Sequence, residues 1–209
     1  MPARRNMSHL ISYFEGNFGE LTNTIHFLKS VKFTIAAIKK FGASMLPMVH
    51  ILKRDVMILF NRYKRNPSRY RCLEQMIMEE KFNNGVNGKT NSSRALLSIL
   101  RHLNFIILLV RFLVNQNLAP NAEKDLKAVI NDAQINSLAY HQEWFGRKMM
   151  DVLVKNSPIT IKLLCILWKK HFVNKNYFHC IHTFFKNMLL CVKKLEIFYH
   201  KNGIEDHLW

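Results

Sequence analysis

The sequence predicts an all-α fold of seven or eight helices. Apolar residues recur at spacings of three and four along most of the chain, as they do on one face of an α-helix. The 209 residues include only 7 Gly and 5 Pro, too few for the dense turns of a β-rich fold. No segment predicts a convincing strand, and no internal repeat occurs. With 49% apolar residues, the chain can bury a substantial core as one domain over residues 20–209, after an N-terminal arm over residues 1–19.

Each predicted helix has a local reason for its position. The first two follow from apolar periodicity, and the second contains no Gly or Pro. Pro67 suits the first turn of the third. Residues 83–93 form a surface loop that ends in capping residues. Pro120 breaks the chain after the fourth helix, Asp132 caps the sixth, and a Ser-Pro pair opens the seventh. In chain order the predicted helices cover residues 20–41, 48–66, 67–82, 94–117, 123–130, 132–155, 157–170 and 177–200.

The charge of the chain predicts an anionic partner. Lys and Arg number 31 against 14 acidic residues, which gives a net charge of +17 and a pI near 10.0. Such a balance fits nucleic acid, an anionic membrane surface or a phosphorylated ligand, and charge alone does not choose among them. The basic run over residues 53–71 contains one acid in its first half, Asp55, and is interleaved with Tyr63 and Tyr70. It fits membrane headgroups or nucleic acid, although no RNA- or DNA-binding motif accompanies it.

The sequence favours a cytoplasmic, monomeric protein that contacts membranes peripherally. Residues 7–14 contain Ser and His where the core of a signal peptide would be apolar. The strongest apolar run, residues 105–114, is too short to span a bilayer and contains Arg111. The 4 cysteines include no CxxC pair, which favours reduced thiols.

Asp55 is the first candidate functional residue. In the second predicted helix it shares a face with Leu52, Leu59 and Arg62. An acid on this stripe faces the apolar interior, where an unpaired carboxylate is strongly unfavourable. Either a fixed protein partner or a bound ligand must therefore meet it, and the pattern leaves both open.

Two further polar residues lie on apolar stripes. His141 lies among aromatic residues that include Phe145, and Arg94 shares its helix face with Leu97 and Arg101. An acid, an imidazole and a guanidinium from three helices could converge at the mouth of one pocket. Periodicity alone favours the alternative, in which the three residues have unrelated structural roles.

No pattern of catalytic or metal-binding residues stands out. His179 and His182 lie three apart, but no carboxylate or second ligand pair follows at the spacing of a metal site. The sequence contains no GxSxG motif, no phosphate-binding glycine loop and no paired acidic motif. We therefore expect neither an enzyme nor a site for a cofactor or metal.

Six segments, in this order and spacing, carry a family resemblance. They are Phe41-Gly42, Lys53-Arg54-Asp55-Val56, the run from Tyr70 to Glu80, the run from Arg94 to Phe105, Ala139-Tyr140-His141 with Trp144, and Phe198-Tyr199 to Asp206. Together they resemble the glycolipid transfer protein family, and within it the ceramide-1-phosphate transfer branch. The resemblance implies a two-layer sandwich of helices around an apolar pocket for sphingolipid chains, with a polar headgroup site at its rim. The predicted pocket residues are Leu52, Leu59, Leu97 and Phe145.

The resemblance implies roles for three polar residues. Asp55 falls on the aspartate that accepts the lipid amide N–H, and His141 on the histidine that donates to the acyl carbonyl. Arg94 falls on the first of two arginines that hold phosphate in the ceramide-1-phosphate branch, where a bidentate guanidinium suits the anion. A ligand donor would then match the inward carboxylate of Asp55.

Two positions depart from the family pattern. Leu59 stands where the glycolipid branch has Asn and the phosphate branch has Lys. Ser98 stands where the family has either Trp, which stacks on a sugar, or the second phosphate-binding Arg. The missing Trp argues against a sugar headgroup, and the missing cations weaken the phosphate site. Arg62 and Arg101 each lie one helical repeat from a retained residue and are the predicted replacements.

The sequence thus predicts a non-enzymatic protein that transfers or binds a phosphosphingolipid such as ceramide-1-phosphate. Two alternatives stay open. Leu59 and Ser98 also fit a degenerate family member that keeps the fold but acts as a membrane sensor or regulatory binder. The high positive charge fits a basic helical module that binds nucleic acid with a steep dependence on salt.

Overall fold

The computed structural model describes residues 21–39, 45–84, 91–116 and 175–204. These residues form five helices: α1 (Thr24–Ile38), α2 (Leu46–Arg65), α3 (Leu73–Asn84), α4 (Asn91–Gln116) and α5 (Lys175–Lys201). Within these ranges there is no strand, only an isolated antiparallel bridge between Asn23 and Cys72. The all-α prediction is confirmed. The arm over residues 1–19 and the helices predicted at 123–130, 132–155 and 157–170 lie outside the described residues.

Local features of the sequence fix one end of each of three helices. The Asn23 side chain accepts a hydrogen bond from the His26 N–H at 3.1 Å, so α1 begins at Thr24 rather than near residue 20. Pro47 occupies the first turn of α2, where its missing N–H is no loss. Gly203 ends α5 with a left-handed φ of 57°. The N–H of Ile204 donates to the Tyr199 carbonyl, as in a Schellman motif.

The third helix begins six residues later than predicted. The reason for this later start is a contact with a distant part of the chain. After a turn in which the Tyr70 N–H donates to the Asn66 carbonyl, the backbone pairs with the residues that precede α1. Thr24 N–H donates to the Arg71 carbonyl and Leu73 N–H donates to the Thr22 carbonyl, both at 2.9 Å. These bonds satisfy the backbone groups of Arg71 and Leu73 outside a helix. Pro67 and Ser68 therefore do not start a helix, although the sequence predicts one at this point.

The fourth helix is the centre of the described fold. α4 packs against α2, α3 and α5, and most extensively against α2, while α1 packs against α2. One cluster of buried apolar side chains joins all five helices. Its largest fully buried members include Phe27, Leu52, Leu59, Met76, Phe105, Phe184 and Tyr199.

Buried polar groups fasten the corner between α3, α4 and the end of α5. Glu80 of α3 accepts hydrogen bonds from the N–H groups of Ser92 and Ser93, at 3.0 and 2.7 Å, and so caps α4. The Tyr199 hydroxyl donates to the Ser93 carbonyl at 2.9 Å. Lys81 donates to the Asn202 carbonyl just beyond α5.

None of the described helices has both the length and the apolar composition needed to cross a bilayer.

Candidate functional site

Asp55 lies in the middle of α2 and points into the protein. Its exposed fraction is 1%, and the leucines one turn before and after it, Leu52 and Leu59, are completely buried. The prediction that the apolar stripe of this helix carries an acid inward is confirmed. The helix holds Asp55 there because the surrounding apolar residues are more favourably buried than exposed.

Among the described residues, only one of the two carboxylate oxygens of Asp55 has a hydrogen-bond partner. Arg54 Nε donates to Oδ1 at 2.8 Å, from a side chain that is 67% exposed. Oδ2 is buried and, within the described part of the chain, has no hydrogen-bond partner. A buried acceptor without a donor costs about 1–3 kcal/mol. Oδ1 thus has a donor in the protein, whereas Oδ2 still needs one.

His102 of α4 also belongs to this site, and the sequence reasoning missed it. Its Nδ1 lies 2.7 Å from the Ser98 carbonyl oxygen. Since a carbonyl can only accept, Nδ1 carries the proton, and the neutral ring leaves Nε2 as an acceptor. Its spacing of four residues from Ser98 is visible in the sequence, but its relation to Asp55 depends on how α2 packs on α4.

Burial is the main reason that the pKa of His102 is lowered from its usual value of 6.5. The positive charges of Arg54 and Arg101 lower it further, whereas the Ser98 hydrogen bond and the Asp55 carboxylate raise it. At neutral pH the ring is therefore uncharged. The Asp55 carboxylate and the guanidinium groups of Arg54 and Arg101 thus lie close enough to His102 to act on its charge.

Arg62 is held at the contact between α2 and α3. Its Nη2 lies 3.8 Å from Glu79 Oε1, and its guanidinium lies 5.0 Å from the centre of the Tyr70 ring. Glu79 also pairs with Arg69 at 2.5 Å. These contacts give Arg62 a structural role, and its predicted role at a headgroup stays a prediction.

The remaining predicted site residues that the structure describes lie on α4 and differ in how far they are exposed. Arg94 is exposed in the first turn of α4, whereas Arg101 is half-buried two turns later. Ser98 is half-buried between them, and Leu97 is 2% exposed within the core. His141 and Phe145 lie outside the described residues.

Four of the five Lys and Arg residues of α2 lie on its exposed side. We call the exposed cations Lys53, Arg54, Lys64 and Arg65 the basic face. Met57, 56% exposed, lies among them. Lys64 also lies 4.9 Å from the centre of the Phe60 ring. The basic run of the sequence is thus divided between this face and the two arginines that pair with Glu79, Arg62 and Arg69.

Three solved structures share the fold of this chain. The glycolipid-transfer-protein fold of FAPP2, which selects simple glycosphingolipids, aligns with a TM-score of 0.70 at 18% identity, over 88% of each chain. The fungal glycolipid transfer protein HET-C2 aligns with a TM-score of 0.67 at 12% identity, over 91% of this chain and 96% of its own. Mouse ceramide-1-phosphate transfer protein, in its apo form, gives 0.69 at 12% identity, over 94% and 97%.

The sequence comparison identifies the family but not the branch. No curated protein sequence is significantly similar to the chain. The structural similarity extends equally to proteins of the glycolipid and the ceramide-1-phosphate branches. The family model of the glycolipid transfer protein matches residues 22–169, a range that includes Asp55, Arg94 and His141. The chain therefore belongs to the glycolipid transfer protein family.

Proposed function

We propose that this protein binds a phosphosphingolipid such as ceramide-1-phosphate and carries it between membranes without a covalent step. The lipid tails would lie between two layers of helices, and the headgroup would lie at a basic rim. The observation that carries the proposal is the buried Oδ2 of Asp55, which no donor of the described residues meets.

The amide N–H of a sphingolipid supplies the donor that Asp55 lacks. A hydrogen bond to a charged acceptor contributes about 1.5–3 kcal/mol, and more where water cannot compete. Leu52 and Leu59, one turn to either side of Asp55, are apolar and buried, as is Leu97 of α4. They suit the lipid chains that continue from the amide, and their role as pocket residues stays a prediction.

The choice of a phosphate headgroup rests on residue chemistry. No aromatic residue stands at Ser98 to stack on a sugar, and Leu59 is buried without a polar group to bind one. The net charge of +17 favours an anionic ligand. His141 and Arg94 keep the roles that the family resemblance implies.

The basic face supports docking on an anionic membrane. Each cation placed near such a surface contributes about 1 kcal/mol. Met57 among these cations offers an apolar side chain that can enter the headgroup region.

The test is a lipid panel with one matched pair of variants. Native mass spectrometry of the purified protein with ceramide-1-phosphate, glycosylceramide and sphingomyelin should show ceramide-1-phosphate bound preferentially. Asp55→Val should abolish lipid extraction from vesicles, whereas Asp55→Asn, which keeps an acceptor oxygen and the shape, should retain part of it. Unchanged extraction by Asp55→Val would contradict the proposed site.

One observation favours a second candidate. Leu59 is completely buried where the family has a polar headgroup ligand, which also fits a member that binds membranes without transferring lipid. Such a protein would adsorb to anionic vesicles in a sedimentation assay but would extract none of the three lipids. Tight nucleic-acid binding with a steep salt dependence, and no bound lipid, would instead support the nucleic-acid alternative.

A further inference from the structure

Arg54 is held at the solvent-exposed side of Asp55 by an ion pair with that residue. Its Nε donates to Asp55 Oδ1 at 2.8 Å, although most of the side chain lies in solvent. Neither terminal nitrogen of Arg54 has a hydrogen-bond partner among the described residues. An exposed arginine normally samples many rotamers, so this anchor removes part of the entropy that binding an anion would otherwise cost.

The anchor also determines which edge of the guanidinium is available. With Nε committed to Asp55, Nη1 and Nη2 present parallel N–H groups, the arrangement that binds phosphate oxygens in a bidentate manner. Asp55 meanwhile keeps Oδ2 as a free acceptor. Two adjacent residues thus present a pair of donors beside an acceptor.

We propose that Arg54 binds the anionic headgroup of the lipid, with Asp55 acting both as the acceptor for the amide and as the positioning residue for the guanidinium. This inference rests on the proposed function and specifies the ligand class of its site. In a phosphosphingolipid the amide and the phosphoester lie on neighbouring carbons, which matches neighbouring groups on the protein. Arg54 would supply a cation that the chain lacks at Leu59 and Ser98.

The other exposed cations of α2 do not share this geometry. Lys64 lies over the Phe60 ring, and Arg65 lies in the last turn of the helix, almost three turns from Asp55. Lys53 is exposed and directly precedes Arg54, but Asp55 makes its ion pair with Arg54. Lys53 therefore serves as a matched control, because its replacement removes the same charge from the same surface.

The experiment measures extraction of ceramide-1-phosphate and of uncharged ceramide from neutral phosphatidylcholine vesicles, which remove membrane charge as a variable. Arg54→Gln should weaken binding of ceramide-1-phosphate by about tenfold or more and change binding of ceramide by less than about twofold. Arg54→Lys should fall between wild type and Arg54→Gln, because it keeps the charge but loses the bidentate edge. Lys53→Gln should affect the two lipids to the same extent, because the charge of Lys53 belongs to the basic face and makes no contact with Asp55.

Ceramide binding by Arg54→Gln, measured on the same sample, reports whether the amide site has stayed intact. The inference is overturned if Arg54→Gln and Lys53→Gln weaken ceramide-1-phosphate binding equally. It is also overturned if Arg54→Gln loses both lipids to the same extent. The proposed function fails separately, if the wild-type protein extracts neither lipid.

Discussion

At the scale of single residues, Asp55 is present at a cost to stability. A buried carboxylate with one unmet oxygen is less favourable than an apolar side chain of similar size. Its partner Arg54 is 67% exposed, so loss of Asp55 would leave that arginine in water rather than in the core. Asp55→Val should therefore raise the melting temperature or leave it unchanged while it removes lipid binding. Such opposite effects on stability and activity distinguish a binding residue from a structural one.

The burial of Asp55 could be predicted from the sequence, whereas its ion pair with Arg54 and the position of His102 could not. Asp55 follows from helical spacing alone, because an acid on an apolar stripe needs a partner. The contact between Arg54 and Asp55 does not follow from spacing, because adjacent residues lie about 100° apart around a helix. It forms because the long, flexible arginine side chain can turn toward its neighbour. His102 was missed because its place beside Asp55 depends on the packing of α4 on α2, which no local pattern encodes.

A second residue-scale prediction concerns Cys191. Burial raises the pKa of its thiol to about 12, and the negative charge of Glu74 contributes in the same direction. At pH 8 about one thiol in 10,000 is then ionised, and the thiolate is the reactive form. Iodoacetamide at pH 8 should leave Cys191 unmodified in the native protein and alkylate it in urea, as mapped by peptide mass spectrometry. Stoichiometric labelling of Cys191 without denaturant would contradict this.

At the scale of elements, the sequence predicts that helices exist better than it predicts where they begin. Apolar periodicity is local, and it placed α2 and α5 to within about two residues. The start of α3 is set by backbone pairing with Thr22 and Thr24. The start of α4 is set by a carboxylate on the preceding helix. Both partners become neighbours only when the chain has folded.

The Glu80 cap makes an element-scale prediction. Glu80 is 2% exposed and satisfies the first N–H groups of α4 together with the Ser93 hydroxyl. Glu80→Ala should lower the free energy of unfolding by about 2–3 kcal/mol, which corresponds to a fall in melting temperature of about 4–12 °C. The exposed Gln75→Ala on the same helix is the control and should shift it by less than about 2 °C. Equal shifts for the two variants would show that the cap contributes nothing.

At the scale of the whole molecule, the fold class and the family were accessible from the sequence because they rest on patterns spread over the chain. The arrangement of the site residues could not be read from the sequence in the same way, because it depends on how the helices pack. The helices that would carry His141 and Phe145 lie outside the described residues, so the predicted approach of His141 to Asp55 stays a prediction.

The stability of the whole protein should fall in mild acid. Burial is the main cause that lowers the pKa of both His26 and His102 below 6.5, with Lys29 adding to it at His26. Below pH 6.5 the unfolded chain therefore binds protons that the native state does not, and stability declines as the pH falls toward the lowered native pKa values. The urea midpoint should be lower at pH 5 than at pH 7, at matched ionic strength.

The acid effect can be assigned by one substitution. His102→Asn keeps a donor for the Ser98 carbonyl but does not titrate, so the difference between its midpoints at pH 7 and pH 5 should be smaller. Because both proteins share the same general increase in positive charge, repulsion cancels in this comparison. An unchanged difference in His102→Asn would show that His102 contributes nothing to it.

The packing of α5 on α4 also has a consequence for synthesis. α4 ends at Gln116, and the helix that covers one of its sides is complete only at Lys201. At about 5–20 residues per second, the ribosome needs about 4–17 s to add the intervening chain. For that time one apolar side of the nascent α4 lacks its partner α5, and Ser93 lacks its hydrogen bond from Tyr199. Newly made chains should thus be prone to aggregation, and dependent on chaperones, until translation has passed the last helix.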